Sequence, residues 1–161
     1  MPTVIDRAIV TIMDDGTVDV EHLLENPRQP AIMAQKLNAL ENFMKTVPGV
    51  RFGNDACPLR HMFADGLYIR CVYNPKGTMI VTKKHKTNHP FFLVKGDLSV
   101  VSAEGRHRLT APHCGITKSG TKRLIYANED TVFVTVHATD KTDIDEIEKD
   151  LIEDESQLER V

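Results

Sequence analysis

Two histidines four residues apart, His85 and His89, stand in the stretch Thr82–Gly96, which reads TKKHKTNHPFFLVKG. Imidazole is the commonest protein ligand for transition metals, so two rings this close raise the question of a metal centre. The plainer reading is a strand–turn–strand segment whose histidines are simply hydrogen-bonded. Other chemistry-bearing residues are weaker. Ser119-Gly120-Thr121 is a turn and no phosphate loop, since no glycine-rich strand-to-helix pattern surrounds it. Cys57 precedes a proline in a loop with no base partner in view. In EDTVFVTVH, Val132, Val134 and Val136 alternate with Phe133, Thr135 and His137, the mark of a sheet strand with His137 near its end.

The elements that must position these residues are mostly strands. From Leu67 to Thr139, runs such as LYIRCVY, TMIVTKK, PFFLVKG, DLSVVSA, KRLIYA and TVFVTVHA are separated by NPKG, KTNH, AEGR, KSGT and NED. Short β-rich runs with regular turn chemistry predict a mainly β fold, an antiparallel barrel or jelly roll. Helices flank it. Pro30 suits a first helical turn, and Ile32, Met33, Leu37, Leu40, Phe43, Met44 and Val47 follow helical spacing until Pro48-Gly49 ends it, so a helix is expected over about 30–47. A second, acidic helix is expected over about 142–155, capped by Asp140 or Thr142, with Ile144, Ile147, Leu151 and Ile152 as its stripe. A short helix is expected at Val18–Leu24, and residues 2–11 read as a strand or extended arm. The chain thus divides into an N-terminal arm and helix (1–50), a β domain (51–140) and an acidic helix and tail (141–161).

Composition bounds the rest. The chain has 161 residues, 41% hydrophobic and 27% charged, as in an ordinary globular domain. No run reaches the length of a membrane span, and the N-terminus has no signal-peptide pattern. Three cysteines without a CxxC pair favour a reduced compartment. The net charge of −3 is uneven: nine acids and three bases after residue 140 give −6, leaving +3 for the body. Basic residues form no long block, so no direct nucleic-acid contact is expected, and no membrane contact either.

Residues 77–96, GTMIVTKKHKTNHPFFLVKG, resemble the first motif of the cupin superfamily, in which a His-x-His pair and an acid precede a closing glycine. Counting back from Gly96, His89 falls on the acid position, and Lys83 and His85 fall on the His-x-His pair. Lys118–Arg123 occupies the second motif, with Arg123 at the position of its histidine. The match spans about Leu67–Thr139. It implies a small β-barrel with strand alternation pointing Met79, Val81, Lys83 and His85 inward. Lysine ligates only when deprotonated, and arginine keeps its proton in proteins. A divalent metal on His85 and His89 therefore needs a third ligand, such as His113 or His137; otherwise no cofactor is expected. The same four residues, Lys83, His85, His89 and Arg123, would suit an anion in a basic cavity.

Through GNDACPLRHMFADGLYIR, HPFFLVKGDLSVV, GTKRLIYANEDTVFVTVHATDKTD and the acidic helix, over about Arg51–Ile152, the chain also resembles small cupin-like proteins of tailed bacteriophages. That resemblance implies a non-catalytic, virion-associated assembly protein that docks through its terminal arms, forms homo-oligomers, meets other phage structural proteins, and resides in the virion or the host cytoplasm. The alternative is a cupin-type enzyme or small-ligand binder, dependent on a metal or an anion in the barrel.

Overall fold

Between residues 59 and 138 the chain keeps switching between β-branched runs and tight turns, and it folds there into nine antiparallel strands. The computed structural model describes residues 3–5, 10–12, 18–19, 30–49 and 57–154. The nine strands are β4 (Leu59–Ala64), β5 (Leu67–Asn74), β6 (Met79–Val81), β7 (His89–Lys95), β8 (Asp97–Ser102), β9 (Gly105–Thr110), β10 (His113–Thr117), β11 (Leu124–Ala127) and β12 (Thr131–Ala138). Before them come β1 (Thr3–Ile5), β2 (Val10–Ile12), β3 (Val18–Asp19) and helix α1 (Pro30–Thr46); helix α2 (Ile144–Leu151) follows them.

Strands β4–β12 form two sheets, one ordered β10-β7-β12-β5-β4 and the other β6-β11-β8-β9. Neighbours in each sheet are mostly distant in sequence, the crossing pattern of a jelly roll. The fold is an antiparallel jelly roll with flanking helices. Among the described residues no ladder joins the two sheets, so this is a pair of sheets and no closed barrel. Strands β1–β3 form a separate sheet of their own.

One interior core lies between the two sheets. Leu93, Leu98, Val100, Ile125 and Ala127 are buried together, with Ile80 and Phe133 against them. The opposite face of the four-stranded sheet is covered by α1. Its Met33, Leu37 and Leu40 recur at helical spacing and bury against Val101 and Leu124, with Met79 and Val81 at the margin. Full burial of such side chains is worth about 1.5–3 kcal/mol each. The Lys122 side chain, 1% exposed, fixes the same helix through Glu41 Oε2 at 3.1 Å and through Asn38 Oδ1.

Two glycines set close approaches. Gly96 joins β7 to β8 at φ +87, and a Cβ there would lie 2.4 Å from the Asp130 carbonyl oxygen. Gly115 lies opposite Phe91 in the β10–β7 ladder, and a Cβ there would meet the Phe91 ring at 2.9 Å.

Several expectations need correction. Strand β6 ends at Val81, and Met79 and Val81 face α1 while Ile80 packs into the interior core, so the inward parity is the reverse of the expected one. The β region starts at Leu59, since β4 lies before the first expected strand. Of the helix expected at Val18–Leu24, Val18–Asp19 is strand β3, and the remainder lies outside the described residues. The cap of α2 is Asp143, whose Oδ1 accepts from the Glu146 amide at 3.0 Å, in place of Asp140 or Thr142. The end of the acidic tail, 155–161, lies outside the described residues.

Candidate metal centre

Strand register builds the site row by row. In β10, β7, β12 and β5, Gly115 pairs with Phe91, Phe91 with Thr135, and Thr135 with Arg70. All four strands alternate with period two, so residues two steps away share the inward face. The next inward row is therefore Thr117, His89, His137 and Tyr68, and the ladder pairs Thr117–His89 and His137–Tyr68 belong to it. The row on the other side carries apolar Leu93, Phe133 and Val72, with His113 opposite Leu93 at its β10 end. The space between the sheets thus grades from an apolar floor to a polar end.

The third histidine comes from the β6–β7 connection. Its backbone is held from three sides. His85 forms an isolated antiparallel bridge with Ile152 beyond α2, its carbonyl accepts from the Gly120 amide at 2.9 Å, and Lys86 N donates to the Leu151 carbonyl at 2.8 Å. This holds the His85 ring 4.4 Å from that of His89 and 5.2 Å from that of His137, centroid to centroid; His89 and His137 are also 4.4 Å apart. One potential ligand atom from each ring lies within 4.8 Å of the others.

Each ring has one nitrogen engaged and one left over. His85 hydrogen-bonds the backbone of Lys83. His89 Nδ1 lies 3.4 Å from the Thr87 carbonyl oxygen, which can only accept, so the proton sits on Nδ1 and Nε2 keeps its lone pair. His137 Nε2 lies 3.0 Å from Thr135 Oγ1. Its Nδ1 is buried and without a hydrogen-bond partner. This is the outer support that metal-bound histidines use to fix tautomer and orientation.

Electrostatics keep the rings neutral. Burial, helped by neighbouring His89 and Arg70, lowers His85 to about 4. Burial lowers His137 to about 3, with His89, His85 and Arg70 adding to it. Burial also lowers His89, and Arg123 acts in the same direction. Neutral imidazole is the ligating form.

A cavity of about 300 Å³ opens onto this cluster, with Arg70, Arg123 and Tyr68 in its wall and Ile147, Glu148 and Leu151 of α2 across one side. Tyr68 Oη lies 2.7 Å from His61 Nδ1, and its ring stacks with His137. Burial raises the Tyr68 hydroxyl above its usual range.

Of the residues singled out by sequence, His85 and His89 come together, and His137 is the third member. His113 is not: it pairs with Leu93, four positions along β10 from the partner of His89. Lys83 stays at the cavity mouth, its side chain 60% exposed, with Nζ 3.5 Å from Glu148 Oε2. Arg123 reaches the cavity, its guanidinium 5.6 Å from the Phe91 ring centre and its Nη1 3.4 Å from Thr117 Oγ1. Sequence reasoning passed over Arg70, Tyr68 and His61. It set His137 at a strand end, although the shared parity of Phe133, Thr135 and His137 already pointed inward.

No protein-family model matches the sequence, and no curated protein matches it either. Solved structures similar to the chain include KdgF from Halomonas sp. (14% identity, TM-score 0.49, 60% of this chain and 90% of that chain). Ectoine synthase from P. lautus is another (11%, 0.48, 60% and 75%). The cupin domain of Cnp3 from Schizosaccharomyces pombe is a third (19%, 0.45, 58% and 71%). The relation to tailed-phage proteins gains nothing from them.

Proposed function

We propose that the chain is a metal-dependent enzyme performing acid–base chemistry on a small molecule held between its two sheets. The observation that carries this reading is the buried, unpartnered Nδ1 of His137, in a ring clustered with two further histidines in the wall of a cavity. Buried polar atoms are nearly always satisfied, and with His137 Nε2–H donating to Thr135 Oγ1 the orphan Nδ1 holds a lone pair that calls for an electron-pair acceptor. His85, His89 and His137 would hold the ion. When bound, a divalent metal supplies Lewis-acid polarisation of a ligand oxygen.

The chain's own residues supply the rest. The Tyr68 hydroxyl keeps its proton at neutral pH, because burial disfavours the phenolate. His61 stands behind it at 2.7 Å, on edge strand β4. A proton given by Tyr68 Oη to the ligand is restored from Nδ1–H of an imidazolium His61, which returns to neutral imidazole and regains its proton from solvent. Ile147 and Leu151 of α2 pack on Tyr68 and exclude water from that side.

The virion-associated assembly role keeps only its sequence resemblance as support. Helix α2, which that role assigns to docking, turns its apolar stripe into the cavity wall. Among the described residues no helix is long and apolar enough to cross a membrane.

Elemental analysis of purified protein after exposure to Zn²⁺, Co²⁺, Mn²⁺ and Fe²⁺ tests the reading. One bound ion per chain is expected, lost in His137→Ala and in His89→Ala. A folded protein that retains none of these ions after dialysis would sink it.

A further inference from the structure

The cavity holds more positive charge than its own residues neutralise. Arg70 enters from β5 in the five-stranded sheet, and Arg123 enters just before β11 in the four-stranded sheet. Arg70 acts electrostatically on His85 and His137, and Arg123 acts on His89, and both arginines line the same cavity as the three histidines. Burial lowers the pKa of both. Among the described residues, neither forms an ion pair with a carboxylate. The acid whose charge reaches Arg70, Glu148, pairs with Lys83 at the mouth instead. Among the described residues, Arg123 contacts the Thr117 hydroxyl and the Phe91 ring, and the charge of Glu104 reaches it without forming an ion pair.

Both arginines are half-buried; a partly desolvated charge without a partner carries a cost, and a guanidinium is the side chain best matched to a carboxylate. With a divalent ion on three neutral imidazoles, the centre and the two arginines sum to four positive charges. One carboxylate would leave one guanidinium unpaired; two leave neither. The cavity wall also carries apolar Val72, Leu98, Ile125 and Phe133, which suits a short hydrocarbon link. About 300 Å³ is the small end of ligand cavities.

We infer that the ligand of this cavity is a small dicarboxylate, held with one carboxylate on Arg70 and the other on Arg123. The inference deepens the proposed function and rests on its choice of cavity. The anion and the metal then assist each other. Each relieves the repulsion that the other site feels, and the coupling is reciprocal.

Calorimetric titration of the full chain, metal-free and Co²⁺-loaded, with succinate, neutral succinamide and inorganic phosphate tests it. One succinate per chain is expected in both forms, more tightly in the Co²⁺ form, with no heat from succinamide. Arg70→Gln and Arg123→Gln should each weaken succinate by about thirty-fold or more while Co²⁺ still binds and the circular dichroism spectrum is unchanged. Arg70→Lys should recover part of the loss. The inference is overturned by a folded protein that ignores succinate, by succinamide binding equally well, by Arg variants that bind succinate unchanged, or by phosphate binding in place of succinate. If succinate binds through both arginines but Co²⁺ does not bind, the metal reading falls and the dicarboxylate site stands.

Discussion

His137 and Tyr68 face each other across the β12–β5 ladder, with ring centroids 5.9 Å apart, and this pairing puts a metal-competent imidazole beside a protonated phenol. Tyr68 in turn bonds His61 at 2.7 Å. Removing the hydroxyl separates its two roles. Tyr68→Phe should cost about 0.5–1.5 kcal/mol of stability, the ordinary worth of one hydrogen bond, in urea denaturation. Metal stoichiometry should not change. A fall in stoichiometry would mean that Tyr68 is itself a ligand.

Acid should unfold the metal-free protein early. The groups around the cluster are His85, His89 and His137 themselves, Arg70 and Tyr68 from β5, Arg123 from the facing sheet, and Lys83 and Glu148 at the mouth. Unfolded histidine protonates near about pH 6.5. Folded His85 and His137 wait until about 4 and about 3. Between those values the unfolded state binds more protons, so stability falls as the pH falls. Melting temperatures measured from pH 7.5 to 4 should drop, and the drop should shrink in a His85→Asn/His137→Asn double variant. An equal drop in that variant would assign the acid sensitivity to other groups.

Helix α2 belongs to the cavity wall. Leu151→Ala removes a buried side chain that packs with Ile147 on Tyr68. A loss of about 2–4 kcal/mol in chemical denaturation is expected. A loss below about 0.5 kcal/mol, within the range of surface substitutions, would place the helix outside the cooperative unit.

Gly96→Ala should destabilise strongly. The position combines φ +87 with a Cβ site 2.4 Å from the Asp130 carbonyl oxygen. Left-handed backbone alone costs about 1–3 kcal/mol, and the clash adds to it. Thermal denaturation of the variant gives the number. An unchanged melting temperature would contradict the turn geometry.

The architecture was legible because the turns carry their own chemistry, and α1 because its apolar spacing has one period. Strand β4 escaped because LRHMFA sets Arg60 and His61 among its apolar residues and breaks the alternation. The site was half legible. His85 and His89 stand in one motif, but His137 joins them only through the β12–β7 register, which no local pattern encodes. Arg70 was hidden by the strand's own pattern. In LYIRCVYN the more apolar set, Leu67, Ile69, Cys71 and Tyr73, looks like the core face. Yet Leu67 and Tyr73 are exposed, and the inward set is Tyr68, Arg70, Val72 and Asn74. A polar cavity between sheets inverts the usual rule that the apolar face of a strand is the buried one. Lys83 lines the cavity only at its mouth, because β6 stops at Val81 before alternation can carry it further inward.

The central claim is that His85, His89 and His137 form one metal centre. Its most direct test is the Co²⁺ visible absorption spectrum of the full chain, followed through a titration. One equivalent of Co²⁺ should saturate the d–d bands, and His85→Ala, His89→Ala and His137→Ala should each abolish them while the fold persists. A spectrum no different from aqueous Co²⁺, or one unchanged by His137→Ala, would contradict it.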